Sequence, residues 1–209
     1  MKKIIVLFLL VLCQLFTYAQ EIQQKNVPAV VLNVFQLKFP NATDTRWKLE
    51  TGNYHVRFKL NNKANELVIN DKGSIIKYQR DLYLSEIPPV ILEAIKSKVS
   101  LFDVSDADRI EENGKTVFIV SSEINGKDHE FTIDEKGSVL KHRQELRKSE
   151  IPVPVLNSVM TAYNGFEIHD AVRTEESGKV LYNIELSKSK TKVTVILNPE
   201  GKILEVKNR

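Results

Sequence analysis

The chain has 209 residues, of which 42% are hydrophobic and 27% charged, an ordinary balance for a globular protein with a real core. Its formal charge is +3 with acids and bases interleaved, so no concentrated basic face for nucleic acid stands anywhere in the linear sequence. Cys13 is the only cysteine, which excludes a cysteine-ligated metal or thiol catalysis once the leading segment around it is removed.

That leading segment, residues 1–19, reads as a cleaved secretory signal. Lys2 and Lys3 form a basic start, residues 4–16 an apolar run too short to span a bilayer, and Thr17-Tyr18-Ala19 precedes Gln20. Lipid attachment at Cys13 would want a small residue before it, and Leu12 stands there. Loss of Lys2 and Lys3 lowers the formal charge from +3 to +1. The mature chain is therefore expected to start at Gln20 and be held by its core alone, with no membrane span after cleavage. Its expected location is exported, in the periplasm, with the cell surface or secretion as alternatives.

From Val27-Pro28 an apolar spacing through Val30, Val31, Val34, Phe35 and Phe39 predicts a helix, stopped by Phe39-Pro40-Asn41. Strands follow at 43–50, 54–60, 64–69 and 74–82, separated by Thr51-Gly52-Asn53, Asn61-Asn62-Lys63 and Asn70-Asp71-Lys72-Gly73. The second helix opens at Ile87-Pro88-Pro89 and shows Val90, Ile91, Ala94, Ile95 and Val99 on one face. Its strands are 104–112, 116–124, 127–133 and 138–146, and the pairs Asn113-Gly114 and Asn125-Gly126 between them are strong hairpin signals. The third helix, opening at Ile151-Pro152 and ending at Asn164-Gly165, precedes strands at 167–175, 179–187, 192–197 and 202–207.

These are copies of one unit. Gly73, Gly137 and Gly201 recur every 64 residues, as do Tyr54, Phe118 and Tyr182, while Pro28 and Pro88 are only 60 apart. The first copy is thus four residues shorter between its helix and second strand. The predicted class is α+β: three tandem α-β-β-β-β repeats at 20–86, 87–150 and 151–209, each an antiparallel sheet with its helix on one face. One helix covers one face, so the other face of each sheet is left open.

Alternation places His55, Arg57 and Lys59 opposite Tyr54, Val56 and Phe58, and Lys77 opposite Ile76 and Tyr78; Lys141 and Arg143 repeat the polar set. His142 stands where Tyr78 stands, a swap that a dry core would resist, which puts that column toward solvent or a ligand. The candidate partner-binding residues are Tyr54, Arg57, Lys59, Lys77, Tyr78, Lys141, His142 and Arg143. Trp47 shares its parity with Thr45 and Leu49, and Ile110 is read as its equivalent in the second copy, so it belongs beneath the helix.

Other chemistry is sparse. His129 and His142 can approach across a hairpin near Glu130 as a metal half-site, but zinc needs three or four converging ligands, and two unrelated strand histidines are the better reading. Ser121 and Ser122 lack a Gly-x-Ser-x-Gly elbow, and Glu111-Glu112 and Glu175-Glu176 sit beside turns as solvated charge. The glycines serve hairpins rather than a phosphate loop. Asn70-Asp71-Lys72-Gly73 has a calcium-loop flavour without the later acidic positions, and reads as a turn. No enzyme activity, cofactor or metal is expected.

The amphipathic helix followed by Phe39-Pro40-Asn41-Ala42, Trp47 seven residues before Tyr54, the Gly73 hairpin and Glu86-Ile87-Pro88 opening the next helix resemble the PepSY-like, or beta-lactamase-inhibitor-like, exported proteins of Bacteroidota envelopes. In the later copies Ile110 and Thr174 stand where Trp47 is sought, and the Phe-Pro-Asn-Ala element is missing. The resemblance implies an antiparallel sheet with helices on one side, export, and no known catalysis; it transfers no target. The expected function is a non-catalytic binding module whose open sheet face engages an unidentified envelope protein or peptide, inhibition of an envelope peptidase being one form of this. A structural or small-ligand (polysaccharide) protein of the envelope is the alternative.

Overall fold

The computed structural model describes residues 20–208, so the expected signal segment and Cys13 lie outside the described residues. The chain divides into two compact units, with the boundary between Gln79 and Arg80.

The first unit begins with a short strand that the periodicity did not announce, β1 (Gln20–Ile22), and a single 3-10 turn at Gln24–Asn26. Helix α1 (Ala29–Lys38) follows Pro28, whose fixed φ suits a helix entrance. Strands β2 (Thr43–Glu50), β3 (Asn53–Leu60), β4 (Lys63–Ile69) and β5 (Ile75–Asp81) form an antiparallel meander, the unit boundary falling within β5. β1 pairs with the free edge of β2, setting Ile22 opposite Trp47. Val31 and Phe35 of α1, with Phe39, bury against Trp47, Val56, Phe58, Leu67 and Ile69. Phe35 meets the Trp47 and Phe58 rings edge-on at 5.2 and 5.1 Å, a geometry that aligns the positive ring edge with the negative ring face.

The second unit holds two further copies. Helix α2 (Pro89–Lys96) precedes β6 (Asp103–Glu112), β7 (Lys115–Glu123), β8 (Asp128–Asp134) and β9 (Val139–Glu145). Helix α3 (Val153–Ala162) precedes β10 (Glu167–Glu176), β11 (Lys179–Lys188), β12 (Thr191–Leu197) and β13 (Ile203–Asn208). β9 pairs antiparallel with β10, Glu145 opposite Val172, so these eight strands make one sheet. Each helix covers its own apolar cluster: Ile91, Ala94 and Ile95 on Ala107, Val120 and Phe131, and Val155 and Val159 on Ala171, Ile184 and Val195. The α-β-β-β-β repeat is thus as expected.

The 64-residue glycines have a double reason. Gly73, Gly137 and Gly201 all have φ between 82° and 86°, a region that an L side chain resists. Each also lies against the first turn of its own repeat's helix, where a Cβ would fall 3.1 Å from Val30, 2.8 Å from Val90 and 2.4 Å from the Pro154 carbonyl oxygen respectively. Ahead of each glycine an Asx residue closes the turn: Asn70 Oδ1 accepts from Lys72 N and Ser74 N, Asp134 Oδ1 from Lys136 N and Ser138 N, and Asn198 Oδ1 from Lys202 N. The calcium-like flavour of the first of these turns is therefore turn chemistry. The Ser-Glu-Ile-Pro segments are ordered likewise, because Glu86 accepts from Tyr83 N and Glu150 from Arg147 N, both at 2.8 Å.

Register corrects the reading of Trp47. It pairs with Val56, whose counterparts 64 and 128 residues on, Val120 and Ile184, pair with Ala107 and Ala171. Ala107 and Ala171, not Ile110 and Thr174, occupy its place. The reason is the four missing residues of the first copy: Glu50 opposes Asn53 across a two-residue turn, whereas the β6–β7 hairpin extends two pairs further, to Glu112 opposite Lys115. Trp47 itself is 2% exposed under α1, as its parity predicts.

Candidate functional site

The helices divide each sheet into a covered and an open face, and strand alternation decides which side chains reach which. In the first unit Val56 and Phe58 belong to the core beneath α1, so Arg57 and Lys59 point to the open face, where Lys77 of β5 joins them by parity. Arg57 Nε donates to Glu66 Oε2 at 2.8 Å and Lys59 sits 2.9 Å from Asp44. Burial pushes the Glu66 carboxyl up, yet the Arg57 hydrogen bond and charge, with His55 at 3.6 Å, outweigh it and hold the group below the usual range.

The second unit places Lys141 and Arg143 on its open face, since Phe131 and His129 of the neighbouring strand lie beneath the helix side with His142 between them. Lys141 approaches Glu176 at 3.4 Å and Arg143 approaches Glu130 at 3.6 Å. Around Arg143 the face forms a polar groove of about 530 Å³, lined among others by Ser121, Glu130, Glu145, Asp170 and Val172. Carboxylates outnumber cations there, with Asp128 also on its rim. Nothing in the one-dimensional pattern announced this groove, because its lining residues come from five different strand segments and converge only through pairing.

Three expected members of the site lie elsewhere. Tyr54 packs on the apolar cluster beneath α1, and its counterparts Phe118 and Tyr182 are buried in the clusters beneath α2 and α3. Tyr78 is 9% exposed on the covered face, its ring 5.1 Å from Phe39, its hydroxyl donating to Asn65 Oδ1 at 2.8 Å. His142, 8% exposed, takes the same position in the second copy and meets His129 at 2.9 Å, Nε2 to Nδ1. The exchange of Tyr for His that argued for solvent is accommodated in the core by a second exchange, Asn65 for His129, which preserves a buried hydrogen-bonded pair. In the third copy the matching positions are Val193 and Val206. Sequence could have shown this pairing only by comparing two columns of the repeat together.

The histidine pair is the chemically unusual feature of the covered face. His142 stacks on Phe131 with ring centroids 4.2 Å apart and planes 9° from parallel, and His129 Nε2 is buried without a hydrogen-bond partner. Burial lowers the His142 pKa to about 4, helped by His129 and Arg173 and opposed by Glu175; burial also lowers that of His129, with Lys127 adding to it. Among the described residues no group of three or more His, Cys, Asp or Glu side chains converges as metal ligands, and no helix is long and apolar enough to cross a membrane.

Neither the scan of family models nor the search of curated proteins finds a match. Solved structures do resemble the chain. A DUF2874 family protein from Bacteroides uniformis is 16% identical, covering 56% of this chain and 88% of its own, with a TM-score of 0.48. Another DUF2874 family protein, from Bacteroides ovatus, is 20% identical over 56% of this chain and 86% of its own, with a TM-score of 0.47. A BLIP-like protein from Bacteroides fragilis is 21% identical over 58% and 87%, with a TM-score of 0.45.

Proposed function

We propose that the protein is an exported, non-catalytic binding module that holds a protein or peptide segment on the open face of its sheet. The observation that carries the reading is the groove around Arg143, on the face no helix of the unit covers, lined by Glu130, Glu145 and Asp170. An extended segment with net positive charge fits it best, because cationic side chains gain from carboxylates that Arg143 alone does not offset. The first unit contributes the open-face cations Arg57, Lys59 and Lys77 as a separate contact surface.

Hydrolysis finds no support in the groove despite its serines and histidine. The Ser122 hydroxyl donates to the Asp103 carbonyl at 2.8 Å, and His129 Nδ1 is engaged by His142, so the base and nucleophile are not hydrogen-bonded to one another. An inhibitor of an envelope peptidase would be one instance of such a module.

The test immobilises residues 20–209, unmodified or carrying Glu130→Lys with Asp170→Lys, against host envelope extract. A protein captured by the unmodified chain and lost with the charge-reversed groove, at unchanged circular dichroism, supports the reading. Equal capture by both removes the groove from the interface. Native mass spectrometry of the protein from its own host separates the alternative, since a retained small ligand adds a defined mass.

A further inference from the structure

We propose that the His129–His142 pair makes the β8–β9 hairpin of the second repeat an acid-sensitive element, which loosens as pH falls and carries two groove residues with it. The two imidazoles face each other at 2.9 Å in the core, 5% and 8% exposed, and a hydrogen bond between ring nitrogens needs one of them to be an acceptor. Two protonated rings have only donors to offer there, so the contact fails and two like charges are left buried. Because side chains alternate along a strand, the chain neighbours of these histidines, Glu130 and Arg143, stand on the opposite face and line the groove. Disorder on the covered face therefore reaches the binding face in one residue. This coupling to binding rests on the function proposed above; the acid sensitivity itself does not.

The surroundings offer a proton little help. Toward His142 lie Arg173 and Glu175 of β10 and Lys98 beyond α2, and Glu175 is already engaged by Arg173 at 2.8 Å and approached by Lys98 at 4.0 Å. Toward His129 lie Lys127, Asp128 and Glu150, and Glu150 is held by Lys127 at 2.9 Å. Nearby carboxylates are thus largely spoken for by cations. Phe131, stacked under the His142 ring, belongs to the apolar cluster that Ile91, Ala94 and Ile95 of α2 cover, while His129 also borders the groove and His142 a small cleft with Lys98, Glu175 and Ser177.

The repeats supply internal controls. The first copy holds Asn65 and Tyr78 in this position and the third Val193 and Val206, pairs that do not change charge between pH 4 and 8. Acid should act on the second copy alone.

His142 has a folded pKa of about 4 against an ordinary 6.5, so protons favour the opened form. The stabilisation is nearly complete at pH 7 and is lost as pH falls from about 6.5 toward the folded value; from pH 7 to pH 5 the opening equilibrium rises about 20-fold from His142 alone. The test is amide hydrogen exchange on residues 20–209 at pH 7 and pH 5, corrected for intrinsic rates. A protection loss of about 20-fold or more in β8–β9, absent from β3–β4, is expected. His129→Asn with His142→Tyr, grafting the first copy's pair, and His129→Val with His142→Val, grafting the third's, should each abolish the difference. Uniform protection at both pH values, or the same loss in a folded graft, overturns the proposal. Should neither graft fold, nuclear magnetic resonance titration of the unmodified protein decides: imidazoles titrating near their ordinary value without loss of protection overturn it, and depressed titration together with β8–β9 exposure upholds it.

Discussion

Replacing Gly201 by alanine separates the two reasons for the recurring glycine. The residue has φ of 82°, and its new methyl carbon would stand 2.4 Å from the carbonyl oxygen and 2.7 Å from the carbonyl carbon of Pro154, backbone atoms in the first turn of α3. A left-handed conformation costs an L residue about 1–2 kcal/mol. Forcing the helix turn away from the hairpin adds the cost of overpacking, about 1–3 kcal/mol. Gly178 is the control: its φ is 74°, yet a Cβ there meets nothing within 4 Å, so only the conformational part applies. Urea unfolding of residues 20–209 followed by circular dichroism should therefore place Gly201→Ala about 2–5 kcal/mol below the unmodified protein and Gly178→Ala about 1–2 kcal/mol below it. Gly137→Ala should fall between them, because its first obstacle is the movable Val90 side chain at 2.8 Å. Equal losses at Gly201 and Gly178 would refute helix contact as the reason for the period.

Trp47→Ala should cost about 3–5 kcal/mol by the same measurement, since a fully buried indole packed edge-on to Phe35 leaves a cavity. Tyr78→Phe should cost about 1–2 kcal/mol by stranding the buried Asn65 amide, and adding Asn65→Leu should recover part of it, as removing both partners does. Arg57→Ala with Lys59→Ala should lower the stability by no more than about 1 kcal/mol, because both cations are more than half exposed and His55 remains beside the half-buried Glu66. A larger loss in that double variant would mean that the open face is structural rather than available to a partner.

The linear sequence determined what depends on neighbours along the chain. The 64-residue period, the Asn-Gly hairpins, the prolines at helix entrances and the apolar helix faces were all legible because turn chemistry and periodicity act over a few residues. Parity alone was enough to put Trp47 beneath a helix and Arg57, Lys59 and Lys77 together on one face. What it could not decide was anything that requires two segments at once. Tyr78 and His142 read as misfits for a core while Asn65 and His129, 13 residues away in each copy, were out of view; together they form a satisfied buried pair. The four residues missing from the first copy displace the counterparts of Trp47 to Ala107 and Ala171, three residues from Ile110 and Thr174 and therefore on the opposite face, a shift that only strand pairing reveals. The groove, too, exists only because strand pairing brings Ser121, Glu130, Arg143 and Asp170 side by side. Burial and register are set by tertiary hydrogen bonding between strands, and tertiary structure alone chose which polar residues face water and which face each other.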